Sequence, residues 1–192
     1  MHIRTKLTSN GKEDIKWIVL AYDSTANKAL LLSKYVLDYR SFGEQKSYPG
    51  WADSSAHKWI ESTFITNAFD KEEQSEIATT TVSTPDYKPY YGSTTSGGPN
   101  TQDKVFLLSS EEVKKYLKND DKAAAPTQYA VQQGIRLGSV YETSEGLSAA
   151  SWWLRDPRSS SEAYMVYLGG DFLYASPSSK EGIRPALWIN LP

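Results

Sequence analysis

The regular patterning of the chain begins at "IKWIVLAYDSTANKALLLSKYVLDYRSF", where two apolar runs flank the polar stretch "DSTANK". Apolar and aromatic runs on either side of turn residues predict a β-hairpin and a continuing strand, with Trp17, Val19 and Leu30, Leu31 and Leu32 as its core. After the turn "SYPG" the period changes. Trp51, Ser55, Trp59 and Phe64 recur at helical spacing in "WADSSAHKWIESTFITNAF", which predicts an amphipathic helix over residues 53–66 with Asp53 as its cap. "DKEEQSEIATTTV" repeats the device, with Asp70 as cap, acidic residues in the first turn and a β-branched run that releases the helix into a strand.

Periodicity then fails across residues 85–100, "PDYKPYYGSTTSGGPN", where prolines, glycines and three tyrosines predict a surface loop. "DKVFLLSSEEVKKYLKND" switches from a buried strand to a helix over residues 110–118, capped by Ser109 or Ser110. "APTQYAVQQG" reads as a short helix started by Pro126 and Thr127 and stopped by Gly134. The last third is strand-rich: "ASWWLRD", "AYMVYLGGDFLYAS" and "IRPALWINL" are separated by turn residues. This order of hairpin, helices, loop and C-terminal meander is α+β.

Alternation in "AYMVYLGGDFLYA" gives Tyr164, Val166 and Leu168 one face and Ala163, Met165 and Tyr167 the other, with Gly169 and Gly170 supplying the positive backbone angles of a tight turn. Plain hairpin packing accounts for this pattern; the sharper reading makes the ring-bearing face a recognition surface. Trp152 and Trp153 should point to opposite faces, one of them into the core. Arg155 and Arg184 follow apolar residues in predicted strands. Half-buried guanidinium groups there should clamp loop carbonyls or a carboxylate.

Composition narrows the function. Thirteen Tyr and 6 Trp against 5 Phe favour amphipathic rings that line a core or a binding surface. A net charge of -2 gives no basic stripe, so nucleic acid is not an expected partner. The absence of cysteine excludes disulfides, thiolate catalysis and zinc-thiolate or iron–sulfur sites. No apolar run is long enough to span a membrane, and "MHIRTKLTSNGKED" has no hydrophobic signal core, so a soluble chain is expected.

Catalytic constellations are hard to assemble. His57 is the only internal histidine and reads as a helix-surface residue, and no G-x-S-x-G elbow exists to make a serine hydrolase of it. No redox metal centre is therefore expected. Asp53, Asp103, Asp156 and Asp171 could serve acid–base chemistry or hold calcium, but none lies in a D-x-D-x-D-G spacing. "GGPNTQD" leads into a strand and lacks the lysine of a phosphate-binding loop.

Across nearly the whole chain, "KALLLSKYVLDYRSF", "WADSSAHKWIESTF", "NTQDKVFLLSSEEVKKYL", "APTQYAVQQG", "WWLRDPRSSS" and "GIRPALWI" resemble, in order, a bacterial and phage domain of unknown function whose members carry W-W-L-R-S-P-G and G-V-R-P-A-L. More distantly, "KVFLLSSEEVKKYL", "PTQYAVQQG" and "GIRPALWI" are similar to landmarks of the formylglycine-generating-enzyme type of C-type-lectin fold. The resemblance implies one C-type-lectin-like α+β domain over residues 1–192. In it the "WWLRDP" and "GIRPALW" strands pair, the N-terminal hairpin and C-terminal strand share a sheet, and the two main helices pack on it. Formylglycine-generating enzymes hold copper with cysteines and their ergothioneine-pathway relatives hold iron with histidines; this chain has neither set. Asp156 and Arg158 replace the family's Ser and Gly.

In diversity-generating retroelement proteins the same fold displays variable ligand-binding residues near the C-terminus. By that analogy the expected function is a non-catalytic module that presents Arg158, Tyr164, Tyr167, Asp171, Phe172 and Tyr174 to a protein or glycan. Of the rings, Tyr167 with Phe172 or Tyr174 should be exposed, and the loop tyrosines Tyr87 to Tyr91 are the next candidate. The other readings are an enzyme using carboxylates such as Asp103 and Asp156, with or without calcium, and a structural domain of a phage or cell-surface assembly.

Overall fold

Asp23 ends the first strand of the hairpin by accepting hydrogen bonds from the amides of Thr25 and Ala26, and Asn27 adopts the left-handed backbone (φ 49°) that returns the chain. The computed structural model describes residues 4–5 and 13–192. Apart from Arg4–Thr5 and Glu13–Asp14, the N-terminal stretch that reads as lacking a signal core lies outside the described residues. Strand β1 (Arg4–Thr5) pairs with β2 (Glu13–Asp14), β3 (Trp17–Asp23) with β4 (Lys28–Ser33), and β5 (Asp38–Ser41) follows.

The helical stretch comprises α1 (Ser55–Trp59), a π turn (Ile60–Phe64) and α2 (Ile65–Ala68). Its cap is Ser54 rather than Asp53, because the Ser54 hydroxyl reaches the His57 amide at 3.0 Å and Asp53 remains exposed. Helix α3 (Lys71–Glu76) is closed by a reciprocal Asp70–Glu73 box, and β6 (Ile77–Ala78) and β7 (Thr80–Val82) continue from it. After the loop come β8 (Thr101–Asp103), β9 (Val105–Phe106) and α4 (Ser110–Tyr116), whose box joins Ser109 and Glu112. Short helices α5 (Asn119–Lys122) and α6 (Gln128–Gln132, capped by Thr127) precede the final strands. These are β10 (Trp152–Ser159), β11 (Glu162–Val166), β12 (Phe172–Ala175), β13 (Lys180–Ile183) and β14 (Ala186–Asn190).

The fold is α+β, with mostly antiparallel sheets and few helices. One five-stranded sheet runs β3-β4-β14-β6, with β9 also on β14; the other runs β12-β11-β10-β13-β5, and only its β10–β13 pairing is parallel. The N-terminal hairpin and C-terminal strand therefore share a sheet, Ala186 facing Leu32 and Asn190 facing Lys28. "GIRPALW" belongs to both sheets. Gly182 and Ile183 end β13, Arg184 and Pro185 turn the corner, and Ala186 to Trp188 begin β14. Its pairing with the "WWLRDP" strand is confined to Trp152 opposite Gly182. Among the described residues no helix is long and apolar enough to cross a membrane.

Both faces of β10 are covered, so Trp152 and Trp153 point apart and are nevertheless both fully buried. Trp153 donates to the Arg40 carbonyl (2.9 Å) and meets the Phe42 ring edge-on, whereas Trp152 donates to the Lys122 carbonyl (3.0 Å) beneath the Arg184 guanidinium. Leu30, Leu31 and Leu32 are core residues, but Val19 is 66% exposed and Trp17 half-buried. The reason is that β3 is the edge strand of its sheet and breaks register after Val19. In the β11–β12 turn only Gly170 has a positive φ (91°); Gly169 instead makes room for the Tyr141 ring.

Candidate functional site

Residues Asp156, Pro157 and Arg158 decide how β10 ends. Proline has no N–H to give a sheet, and the β10–β11 register shifts on both sides of Pro157. Asp156 turns inward and accepts from the Ser110 amide (2.8 Å) and hydroxyl (2.5 Å) at the start of α4, a position that favours a carboxylate, although burial pushes its pKa up. Arg155 is buried and donates to the carbonyls of Leu107 and Ser83 and to Glu112, the clamp expected of it. Asp156 and Arg158 thus sit in a continuing, irregular strand.

Arg158 emerges from that irregularity among tyrosines. Its guanidinium donates to the Tyr87 hydroxyl, lies 4.6 Å from the Tyr87 ring centre and 5.3 Å from that of Tyr174, and Tyr87 meets Tyr164 edge-on at 6.3 Å. Tyr164 and Tyr174 face each other directly across β11 and β12. Burial raises the Tyr164 phenol pKa, opposed by the charge of Arg158. The loop over residues 85–100 delivers Tyr87 through a small internal ladder with Thr95 (both bonds 2.9 Å) and through Asp86, which accepts from the Gly97 amide. Gly97 lies so close to Thr84 that a Cβ would collide with its backbone.

The six residues singled out in the sequence therefore divide. Arg158, Tyr164 and Tyr174 form one cluster, and Phe172 continues it on the same face of β12 beneath the ammonium groups of Lys114 (5.3 Å) and Lys122 (5.5 Å). Tyr167 packs instead on Tyr141, and Asp171 is exposed in the turn, where its carbonyl accepts from the Tyr167 amide. Of the rings expected to be open, Tyr174 is 47% exposed, while Phe172 and Tyr167 are half-buried. Tyr87, sequence-distant from the hairpin, joins its site; its place between Pro85 and Pro89 in a long loop was the available signal. Tyr90 and Tyr91 stand almost fully exposed on that loop.

A second polar centre lies beneath α1. His57 is not a free surface residue: Nδ1 lies 3.1 Å from the Ala52 carbonyl and Nε2 2.9 Å from Asp103 Oδ1. Asp103 Oδ2 accepts from Trp51 Nε1 (2.8 Å) and the Thr101 hydroxyl (2.7 Å). The Ala52 carbonyl and the Asp103 carboxylate are both acceptors, so the site favours the protonated ring, with an N–H on each nitrogen. Burial disfavours the charge on both groups, but their mutual hydrogen bond and attraction outweigh it, so the His57 pKa is raised and that of Asp103 lowered. Glu61, on the π turn, accepts from the amides of Val105 (2.8 Å) and Lys104 (3.2 Å), and burial raises its pKa.

This pair makes stability pH-dependent with a definite sign. The His57 contribution is complete below its ordinary value of 6.5 and is lost as pH rises through the raised folded value. The Asp103 contribution is complete above 3.8 and is lost as pH falls through its lowered value. The urea midpoint of the protein should therefore fall as pH rises from 6.5 through the raised His57 value, and that of His57→Gln should fall less. Equal slopes would show that the pair does not titrate as described.

A cavity of about 610 Å³ lies elsewhere, beneath the chain near Leu137 and Leu147 and against Ile15, Tyr35, Leu37 and Val131. It shares no residue with the Arg158 cluster, and the opposite charges of Asp14 and Lys16 at its wall cancel, so the tyrosine cluster is the stronger candidate for recognition. Among the described residues no three His, Asp or Glu side chains gather as a metal ion would require.

Compared with known families, residues 26–191 match the model of a family described as "Domain of unknown function (DUF6273)". No curated protein and no solved structure matches the chain.

Proposed function

We propose, for a chain that belongs to the DUF6273 family, a non-catalytic binding module whose recognition surface is Arg158 with Tyr87, Tyr164 and Tyr174. The observation that carries this reading is the Arg158 guanidinium, half-buried between two rings that arrive from distant parts of the chain. Rigid, amphipathic tyrosines give contact area at low entropic cost, and the loop that delivers Tyr87 also carries the exposed Tyr90 and Tyr91.

The wider reading is a C-type-lectin-like domain, of the kind that displays variable residues in diversity-generating retroelement proteins. It is supported by the shared N- and C-terminal sheet and by the hairpin that follows the "WWLRDP" strand. An enzyme built on Asp103 and Asp156 has less support, because both carboxylates already accept hydrogen bonds from the protein's own groups.

The test replaces Arg158, Tyr87 and Tyr174 singly by alanine and measures unfolding together with binding on arrays of glycans and purified surface proteins. Each contact residue should weaken binding by about 1 kcal/mol or more while the variants remain folded. Binding that none of the three changes alters would place the surface elsewhere.

A further inference from the structure

Resting on the reading of the tyrosine cluster as a recognition surface, we infer that its ligand is an acidic carbohydrate. A carboxylate would sit on Arg158, sugar faces on the Tyr174 and Phe172 rings, and a second acidic group toward Lys114.

The charge argument starts from what is unpaired. Among the described residues neither Arg158 nor Lys114 is in a salt bridge. Asp156 is engaged with Ser110, Glu112 with Arg155 and the Ser109 amide, and Glu162 with the Ser159 hydroxyl, while the one carboxylate in the adjoining turn, Asp171, points to solvent. A guanidinium has five N–H donors, and the side-chain partner of Arg158 is the Tyr87 hydroxyl. Holding such a cation half out of water is unfavourable until an anion meets it. A carboxylate fits best, since the planar fork binds it through two parallel hydrogen bonds.

The layout then selects the body of the ligand. Phe172 and Tyr174 lie two residues apart on one face of β12, so their rings are spaced by roughly 7 Å, and each has a cation beside it. Two ring–cation pairs therefore lie side by side along a short strip. Its complement is a stiff chain with apolar C–H faces, hydroxyl edges and repeated acidic groups, which describes an acidic sugar polymer. An acidic peptide would instead be drawn to the free edge of β12 by its backbone, whereas the rings and charges stand on the sheet face.

Oligogalacturonate, neutral dextran, dextran sulfate and polyglutamate serve as probes in titration calorimetry on the full chain. Oligogalacturonate should bind and dextran should not, and added salt should weaken the interaction. Arg158→Lys, which keeps the charge but loses the fork, should weaken it tenfold or more, and Lys114→Gln several-fold, with thermal unfolding unchanged. Equal binding of dextran would overturn the acidic requirement, stronger binding of dextran sulfate the carboxylate, and equal binding of polyglutamate the sugar. No binding of oligogalacturonate at millimolar concentration would overturn the inference outright. The recognition surface itself would survive any of these results if alanine at Tyr87 or Tyr174 still abolished binding to another array ligand.

Discussion

Replacement of Arg184 by leucine is expected to destabilise the protein by about 3 kcal/mol, the upper end of the cost of leaving buried hydrogen-bonding groups without their partner. The side chain is almost wholly buried, and it donates from Nε to the Ser33 carbonyl at 2.9 Å, from Nη1 to those of Asp121 (3.0 Å) and Lys122 (3.4 Å), and from Nη2 to that of Lys34 (3.4 Å). Burial pulls its pKa down to about 9, still above neutrality, so the group remains a cation and these bonds are charge-assisted. Leucine would keep part of the volume over Trp152 and leave the carbonyls at the corner between the two sheets without their donor. Lysine should rescue little, because one ammonium cannot reach carbonyls arranged around a fork. Urea denaturation measures the loss, and a cost below about 1 kcal/mol would mean that water replaces the guanidinium.

Gly182→Ala is the second large effect. A Cβ there would stand 2.5 Å from the Ser151 carbonyl oxygen and closer still to Val36 Cγ1, and neither neighbour is the free end of a flexible chain. The Gly182 amide donates to that same carbonyl at 3.0 Å, so relief requires parting β13 from β10 at their single pairing. Overpacking of this kind costs about 1–3 kcal/mol or more. Gly134→Ala provides the control: it has open space but a positive φ of 91°, so it should cost only about 1 kcal/mol, a backbone penalty without a collision. If the two substitutions proved equally mild, the close approach of the two strands would be wrong.

Local chemistry made much of the fold legible in sequence. Asp70, Ser109 and Thr127 act as helix caps, and the hairpins at residues 17–33 and 162–175 form where polar turns interrupt apolar runs. Failures came where a distant partner decides. Val19 has the composition of a core residue but lies on an edge strand, and Trp152 and Trp153 are both buried because layers cover both faces of β10. His57 read as a surface residue because Asp103, which claims it, lies 46 positions away. The candidate site was legible by half: Arg158 and the hairpin tyrosines were visible as a cluster of types, but the approach of Tyr87 depends on a loop whose path carries no periodicity.

The position of β14 has a consequence for how the chain is made. This strand lies between β4 and β6, and the corner before it bonds back to Ser33 across 151 positions of sequence. On the ribosome, β3 and β4 emerge well before β14, so the inner edge of β4 has to wait for all the intervening residues before its neighbour exists. Until then the nascent chain displays an open, leucine-rich strand edge, the kind of surface that recruits chaperones or pairs wrongly with another chain. Completion of this sheet is thus a late event, and the high sequence separation of its contacts makes it a slow one.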